Sequence, residues 1–145
     1  MSLQPYEIPM NSNNNRRKSR ELVLQALFQL EFIPSQQLSQ SLNHLKNLFA
    51  IDPHVLEFAE NLAQIFDLHR ESIDAELKDL SKNWTMERMA KVDKNIIRVA
   101  LVELKYFDDI PPNVTINEAV EIAKKYGSND SASFVNGILD QAILR

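Results

Sequence analysis

The sequence contains no cysteine and only two glycines among its 145 residues. The absence of cysteine excludes disulfide bonds, thiolate zinc sites, iron–sulfur clusters and thiol nucleophiles. The scarcity of glycine argues against sandwiches, barrels and Rossmann-type nucleotide sites, because these folds use glycine in turns and phosphate loops. No apolar run reaches the roughly 20 residues of a transmembrane helix, and the N-terminus lacks the apolar core of a signal peptide. We therefore predict a soluble, cytoplasmic protein.

Residue patterns typical of enzymes are also missing. The three histidines, His44, His54 and His69, have no partner at metal-ligand spacing. The acidic pair Asp108-Asp109 precedes two prolines, where turn formation explains it better than general acid–base catalysis. Nucleophile elbows and Walker-type loops need glycines that this sequence does not have. We predict a protein that is not an enzyme and uses no metal or cofactor.

The distribution of charge is more informative than its total. The formal net charge is −4, from 16 basic and 20 acidic side chains. Four of the bases, Arg16, Arg17, Lys18 and Arg20, lie within five residues that hold no acid. Without this basic cluster the chain has 12 bases and 20 acids, a net charge of −8. Because phosphate binding needs only a local positive patch, the cluster is a candidate nucleic-acid site.

Apolar residues recur at three- and four-residue spacings from Ser19 onward, which is typical of amphipathic helices. Residues 1–15 show no such period and are predicted to be a disordered tail. The stretch after Pro53 fits either one long helix with a bend or two helices. No segment alternates as a strand does. The sequence predicts an all-α fold of about six or seven helices in two small bundles, residues 16–83 and 84–145.

Capping residues mark the predicted helix boundaries. Thr115-Ile116-Asn117-Glu118 fits a capping box, in which the threonine and glutamate side chains bind each other's backbone amides. Gly127 is placed as the left-handed C-cap of that helix. Gly137 falls inside the last helix, which suggests close helix approach or partner docking there. The remaining predicted helix starts are Asp52-Pro53, Asp93, and Asp130 or Ser131.

Helical geometry places the basic cluster beside two apolar side chains. At about 100° per residue, Arg17, Arg20, Leu24 and Phe28 fall within roughly 80° of one another. Such a face suits unpaired RNA, with arginines on phosphates and the aromatic ring stacked on a base. Cations at a helix start also oppose the macrodipole, and a phosphate held on the free amides would explain them. The alternatives are a solvated basic tail, and Leu24 and Phe28 packed in the core.

Ordered motifs in both halves resemble those of the NusB family of bacterial antitermination factors. The N-terminal segment reads RRKSRE followed by LQALF, from Arg16 to Phe28. The C-terminal half is more specific, with VDKNIIR from Val92, DIPP from Asp109, INEAVEIAK from Ile116 and FVNGILD from Phe134. Between Ile33 and Asn83 only the helical pattern is similar.

The resemblance implies a fold of two helical bundles and a role in transcription without catalysis. Members of the family bind the boxA element of nascent RNA together with a small-subunit ribosomal protein. The pair joins RNA polymerase and other Nus factors, which resists termination and supports ribosomal RNA synthesis. The same partners are expected for this chain, and some members self-associate into homodimers.

The resemblance also implies RNA-contacting positions. The arginine-rich start of the family corresponds to Arg16, Arg17, Lys18 and Arg20. An aromatic position in the family's first helix corresponds to Phe28, and family members often have Tyr there. Three further positions correspond to Glu87, Asp130 and Phe134. Ser133 stands where some members carry a basic residue, which removes that phosphate contact.

Two other functions are compatible with parts of the pattern. A similar helical domain begins certain RNA cytosine methyltransferases, but a chain that ends at Arg145 leaves no room for their catalytic domain. The second alternative is a helical protein–protein interaction module, or a homodimer, that does not bind RNA. RNA binding separates this alternative from an antitermination factor.

Overall fold

The computed structural model describes residues 12–82 and 89–145, and all regular structure in these ranges is α-helical. The prediction of an all-α fold is confirmed. Within the described ranges, no helix combines the length and apolar character needed to cross a membrane. The helices are α1 (Ser12–Phe32), α2 (Leu38–Leu48), α3 (Pro53–Leu80), α4 (Lys91–Tyr106), α5 (Pro112–Tyr126) and α6 (Ser131–Ile143).

Two compact units divide between Ala63 and Gln64, inside α3. The predicted division between residues 83 and 84 lies outside the described residues and stays a prediction. α3 itself is one helix with a break at His69, where φ is −122° and ψ is 17°. Two helical segments thus meet at a kink at His69 within α3, and this geometry fits both possibilities predicted for the stretch, one bent helix or two helices.

The first unit is built from α1, α2 and the beginning of α3. α1 packs against α2, and both bury a leucine-rich face. Asp52 begins α3 as predicted, because its Oδ1 accepts a hydrogen bond from the His54 amide at 2.8 Å. The buried apolar side chains of this unit are Val23, Leu24, Ala26, Leu27, Leu30, Leu38, Leu42, Leu45, Val55, Phe58, Ala59, Leu62 and Ala63.

The second unit contains the rest of α3 with α4, α5 and α6. The last three helices pack on one another in every pairing, and α4 is buried along most of its length. Arg98 of α4 joins the second half of α3 through two hydrogen bonds to Asp74, each 2.8 Å long. The same guanidinium donates to Asn95 Oδ1 at 3.1 Å. The unit is thus held by a leucine- and isoleucine-rich core and one buried arginine network.

Two predicted helix starts are wrong by a few residues. α5 begins at Pro112, so Thr115 lies inside the helix and forms no capping box. The buried Thr115 hydroxyl instead donates to Glu103 Oε1 at 3.0 Å, tying α5 to α4. Asp93 lies in the first turn of α4, which begins at Lys91 with Ala90 as its N-cap. Proline at a first helical position sets the backbone for a helix, and this moved the start of α5.

The predictions for the two glycines hold only in part. Gly127 is the C-cap of α5 as predicted, but its φ of −94° and ψ of −171° are extended rather than left-handed. A Cβ at Gly127 would collide with the Ser131 side chain and lie 2.8 Å from the Ala123 carbonyl oxygen. Gly127 is therefore required for close packing between the end of α5 and the start of α6. Around Gly137 the described chain leaves open space, so close helix approach does not explain that glycine.

Candidate functional site

The basic cluster lies within α1 and not at its first turn. The helix begins at Ser12, which makes Asn13, Asn14 and Asn15 helical although they were predicted to belong to the tail. The rest of the predicted tail, residues 1–11, lies outside the described residues. Because Arg16 is one turn into the helix, the expected combination of arginines with free first-turn amides is wrong.

Phe58 of α3 packs beneath two arginines of the cluster. The Arg16 guanidinium carbon lies 4.7 Å from the Phe58 ring centroid, and that of Arg20 lies 5.4 Å from it. Both distances are within the range of a cation–π interaction. The helical pattern of α3 places Phe58 on an inward face, but no local pattern reveals which side chains of α1 cover its ring.

Ser19 fixes the approach of α1 to α3 at this point. Its side chain is fully buried, and its Oγ lies 2.8 Å from the Asn15 carbonyl oxygen and 2.5 Å from the Val55 carbonyl oxygen. A small hydroxyl residue lets the two backbones come close while giving the Val55 carbonyl a donor. This contact is what holds the cluster over Phe58.

Burial separates the members of the basic cluster. Arg17 and Lys18 are exposed, and Arg16 is half-buried. Arg20, by contrast, is only 3% exposed. Arg17 and Arg20 share a helix face as predicted, but only Arg17 presents its cation to solvent. Arg17 and Lys18 are therefore the most exposed basic side chains of the cluster.

The two apolar residues predicted beside the cluster have different surroundings. Leu24 is 3% exposed and belongs to the core, which settles the alternative left open for it. Phe28 is half-buried, so one part of its ring remains accessible. An RNA contact at Phe28 stays a prediction.

A polar cavity of about 280 Å³, the α1–α3 cavity, opens beside the cluster within the first unit. The residues that line it are Asn15, Arg16, His54, Glu57, Phe58 and Asn61. Its walls carry a cation, a carboxylate, two amides and an aromatic ring. The carboxylate of Glu57 distinguishes it from a simple anion site, because an acid repels phosphate. The lining comes from two helices, so no local sequence pattern predicts this cavity.

The other predicted site residues lie in the second unit or outside the described chain. Asp130 is exposed and immediately precedes α6, where its side chain makes no capping hydrogen bond. Ser133 is exposed and its hydroxyl donates to the Asp130 carbonyl at 3.1 Å. Phe134 is half-buried, and Glu87 lies outside the described residues. RNA contacts at Asp130, Phe134 and Glu87 stay predictions.

No group of three or more histidine, aspartate or glutamate side chains that could hold a metal ion occurs in residues 12–82 or 89–145. The cation, carboxylate, amides and aromatic ring present at α1 and α3 can bind a ligand through charge, hydrogen bonds and stacking.

Comparison with known proteins shows the same fold and sequence pattern over most of the chain. The family model described as "NusB family" matches residues 17–144. The transcription antitermination protein NusB of Desulfitobacterium hafniense (strain DSM 10664 / DCB-2) is 47% identical over 130 residues, covering 89% of this chain and 88% of the relative. That of Bdellovibrio bacteriovorus is 46% identical over 127 residues, covering 87% and 93%.

Solved structures agree with the sequence matches. T. maritima NusB superposes with a TM-score of 0.77 at 38% identity, covering 87% of this chain and 88% of that one. The structure of antitermination factors NusB and NusE in complex with dsRNA has a TM-score of 0.74 at 21% identity, covering 88% and 95%, which supports the fold. From the family match, the identities and the shared helical fold, the chain belongs to the NusB family.

Proposed function

We propose that this chain is an RNA-binding transcription antitermination factor. It binds boxA-type single-stranded RNA together with a small-subunit ribosomal protein. The pair then assembles with other Nus factors on RNA polymerase in the cytoplasm, supports ribosomal RNA transcription and catalyses no reaction. The observation that carries the proposal is the basic cluster of α1, held over Phe58 with Arg17 and Lys18 exposed. The names of the relatives, which are transcription antitermination proteins, support the same role.

Different residues of α1 make different kinds of contact with the RNA. Arg17 and Lys18 neutralise phosphates, which supplies sequence-independent affinity and makes binding depend on salt. The accessible part of Phe28 stacks on an unpaired base, a contact that tolerates any base because every base has a π-face. Glu87, Asp130 and Phe134 are proposed as further RNA contacts, because the family resemblance implies them.

One observation favours a second function, a protein–protein interaction module without RNA binding. Leu48 and Phe49 at the end of α2 are 70% and 61% exposed, although large apolar side chains are usually covered. A homodimer or another protein could cover them. Such a module predicts no RNA binding and an oligomeric state that depends on concentration, which sedimentation measures directly.

The proposed function is tested by the salt dependence of RNA binding. For single-stranded RNA, log affinity falls with log salt by about 0.7 per neutralised phosphate. The variant Arg17→Ala/Lys18→Ala removes two exposed cations and should lower the slope by about 1.4. The matched control, Lys78→Ala/Lys82→Ala, removes two exposed cations of the second unit and should leave the slope unchanged.

The fold of both variants is verified by circular dichroism, since all four side chains are exposed. Equal slopes for the two variants would show that the basic cluster does not contact RNA. Wild-type protein that fails to bind boxA-like RNA, alone and with the ribosomal protein, would contradict the proposed function and leave the interaction module.

A further inference from the structure

The α1–α3 cavity has a lining that phosphate binding does not explain. Arg16 supplies a cation at one wall, and Glu57, one turn into α3, supplies a carboxylate. A phosphate attracted by Arg16 would be repelled by Glu57. A ligand that accepts hydrogen bonds at one edge and donates them at another satisfies both groups. Nucleobases have this property and phosphate oxygens do not, while ribose hydroxyls can also donate to a carboxylate but lack the flat edge that a planar guanidinium pairs with.

Asn15 gives independent evidence for a donating ligand. Its Oδ1 is buried and has no hydrogen-bond donor within the described part of the chain. Buried amide oxygens in proteins are nearly always paired, so an orphaned one needs a specific explanation. Asn15 also lines the cavity. An N–H group of a molecule seated there would supply the missing donor.

The aromatic wall holds the cation of Arg16 in place. The guanidinium carbon of Arg16 lies 4.7 Å from the Phe58 centroid, which restrains the orientation of the planar group. A restrained guanidinium loses less freedom when it forms paired hydrogen bonds, and its plane is also a surface on which bases stack. The cavity volume of about 280 Å³ is large enough for one base.

We infer that the α1–α3 cavity binds one unpaired nucleobase of the RNA, and that guanine is the base it takes. Guanine presents O6 and N7 acceptors to Arg16, the pairing most common in base recognition. Its N1–H and N2 amino group face Glu57 and the Asn15 amide oxygen as donors. Adenine lacks the O6 acceptor, and uracil lacks the amino group. The inference rests on the proposed function, because it names the base that the same RNA places beside the basic cluster.

The test asks whether removing the negative charge of Glu57 raises or lowers RNA affinity. Glu57→Gln removes a negative charge next to the cluster, so binding to phosphates alone should stay equal or become tighter. Loss of the carboxylate from a guanine site should instead weaken binding about tenfold. Glu60→Gln is the matched control, because it removes an acid of the same helix that does not line the cavity. The probe is a short uridine-rich RNA that contains one guanosine.

Replacing that guanosine by inosine removes only the N2 amino group. Wild type and Glu60→Gln should then lose about tenfold in affinity, whereas Glu57→Gln should lose almost nothing further. Together, the change at residue 57 and the change of the base form a double-mutant cycle, which isolates the contact between Glu57 and the N2 amino group. Both variants change exposed or half-exposed side chains, so their folds are compared by circular dichroism.

The inference is overturned if Glu57→Gln binds the RNA as tightly as Glu60→Gln, or if inosine weakens both variants equally. If the salt slope still falls in Arg17→Ala/Lys18→Ala, the proposed function stands and only the base site is lost. If wild-type protein binds boxA-like RNA but not the guanosine-containing probe, only the base site is lost; if it binds neither RNA, alone or with the ribosomal protein, the proposed function fails as well.

Discussion

Substitutions at different residues of the basic cluster should have different effects on folding and on RNA binding. Arg20 is almost fully buried with its guanidinium near Phe58, so its cation is part of the packing between α1 and α3. Arg17 is exposed one turn away. A neutral substitution at Arg20 therefore alters the fold and the binding surface together. Substitutions at the exposed Arg17 and Lys18 should affect RNA binding more than folding.

We predict that Arg20→Ala lowers the free energy of unfolding by about 1–2 kcal/mol, because a desolvated cation–π contact and the packing of the arginine stem are lost. Arg17→Ala, in the same helix and exposed, should stay within about 0.5 kcal/mol of wild type. Urea denaturation measures both. Equal stability of the two variants would show that the contact of Arg20 with Phe58 contributes nothing to folding.

The two glycines predict stability changes of opposite sign. Gly127→Ala should destabilise the protein by about 1–3 kcal/mol, because the new methyl group would overlap Ser131 and the Ala123 carbonyl. Gly137→Ala should stabilise it by about 1 kcal/mol, because the site is open and alanine favours a helix. Thermal melts of the two variants distinguish these outcomes. A destabilised Gly137→Ala variant would mean that an unseen neighbour occupies the open space.

At the scale of elements, Arg98 is the polar link between α4 and the second half of α3. Its side chain is 8% exposed, and it forms paired hydrogen bonds to Asp74 while lying 5.6 Å from the Phe66 centroid. Another arginine pair of the same unit, Arg145 with Asp79, is 2.6 Å apart but largely exposed. The two pairs have the same chemistry and differ in burial.

We expect Arg98→Met to lower the free energy of unfolding by about 2 kcal/mol, because methionine keeps the stem but removes hydrogen bonds to a charged partner. Arg145→Met should change it by at most about 1 kcal/mol, since exposed ion pairs contribute little. Denaturant titrations give both values. Comparable effects would show that burial does not strengthen this pair.

The elements themselves were largely predictable because their signals are local. The apolar stripes of α1 and α2 and the Asp52-Pro53 start of α3 were read from spacing and capping chemistry, and the structure contains them. The start of α5 was not predicted correctly, because Thr115 and Glu118 match the capping-box pattern although the helix begins three residues earlier, at Pro112. The sequence alone does not show which of these two helix-start signals is used. The choice depends on a tertiary contact, here the hydrogen bond from Thr115 to Glu103.

The candidate site was predictable only on its α1 side. Sequence spacing identified the basic cluster, but the burial of Arg20 and its contact with Phe58 depend on how α1 packs against α3. The cavity beside the cluster has the same origin, with Asn15 and Arg16 on one helix and Glu57 and Asn61 on the other. Periodicity assigns a face to each helix, and it carries no information on which faces meet.

At the scale of the whole molecule, several of the packed helix pairs in the described ranges join helices that follow one another along the chain. α1 packs with α2, α4 with α5, and α5 with α6. Such neighbours close only short loops, so little chain entropy is lost before native contacts form. Proteins dominated by local contacts of this kind fold in microseconds to milliseconds. Because synthesis proceeds from the N-terminus, α1 and α2 can pair while later helices are still being made. An emerging chain thus spends little time with its leucine-rich faces uncovered, which limits its opportunity to aggregate during synthesis.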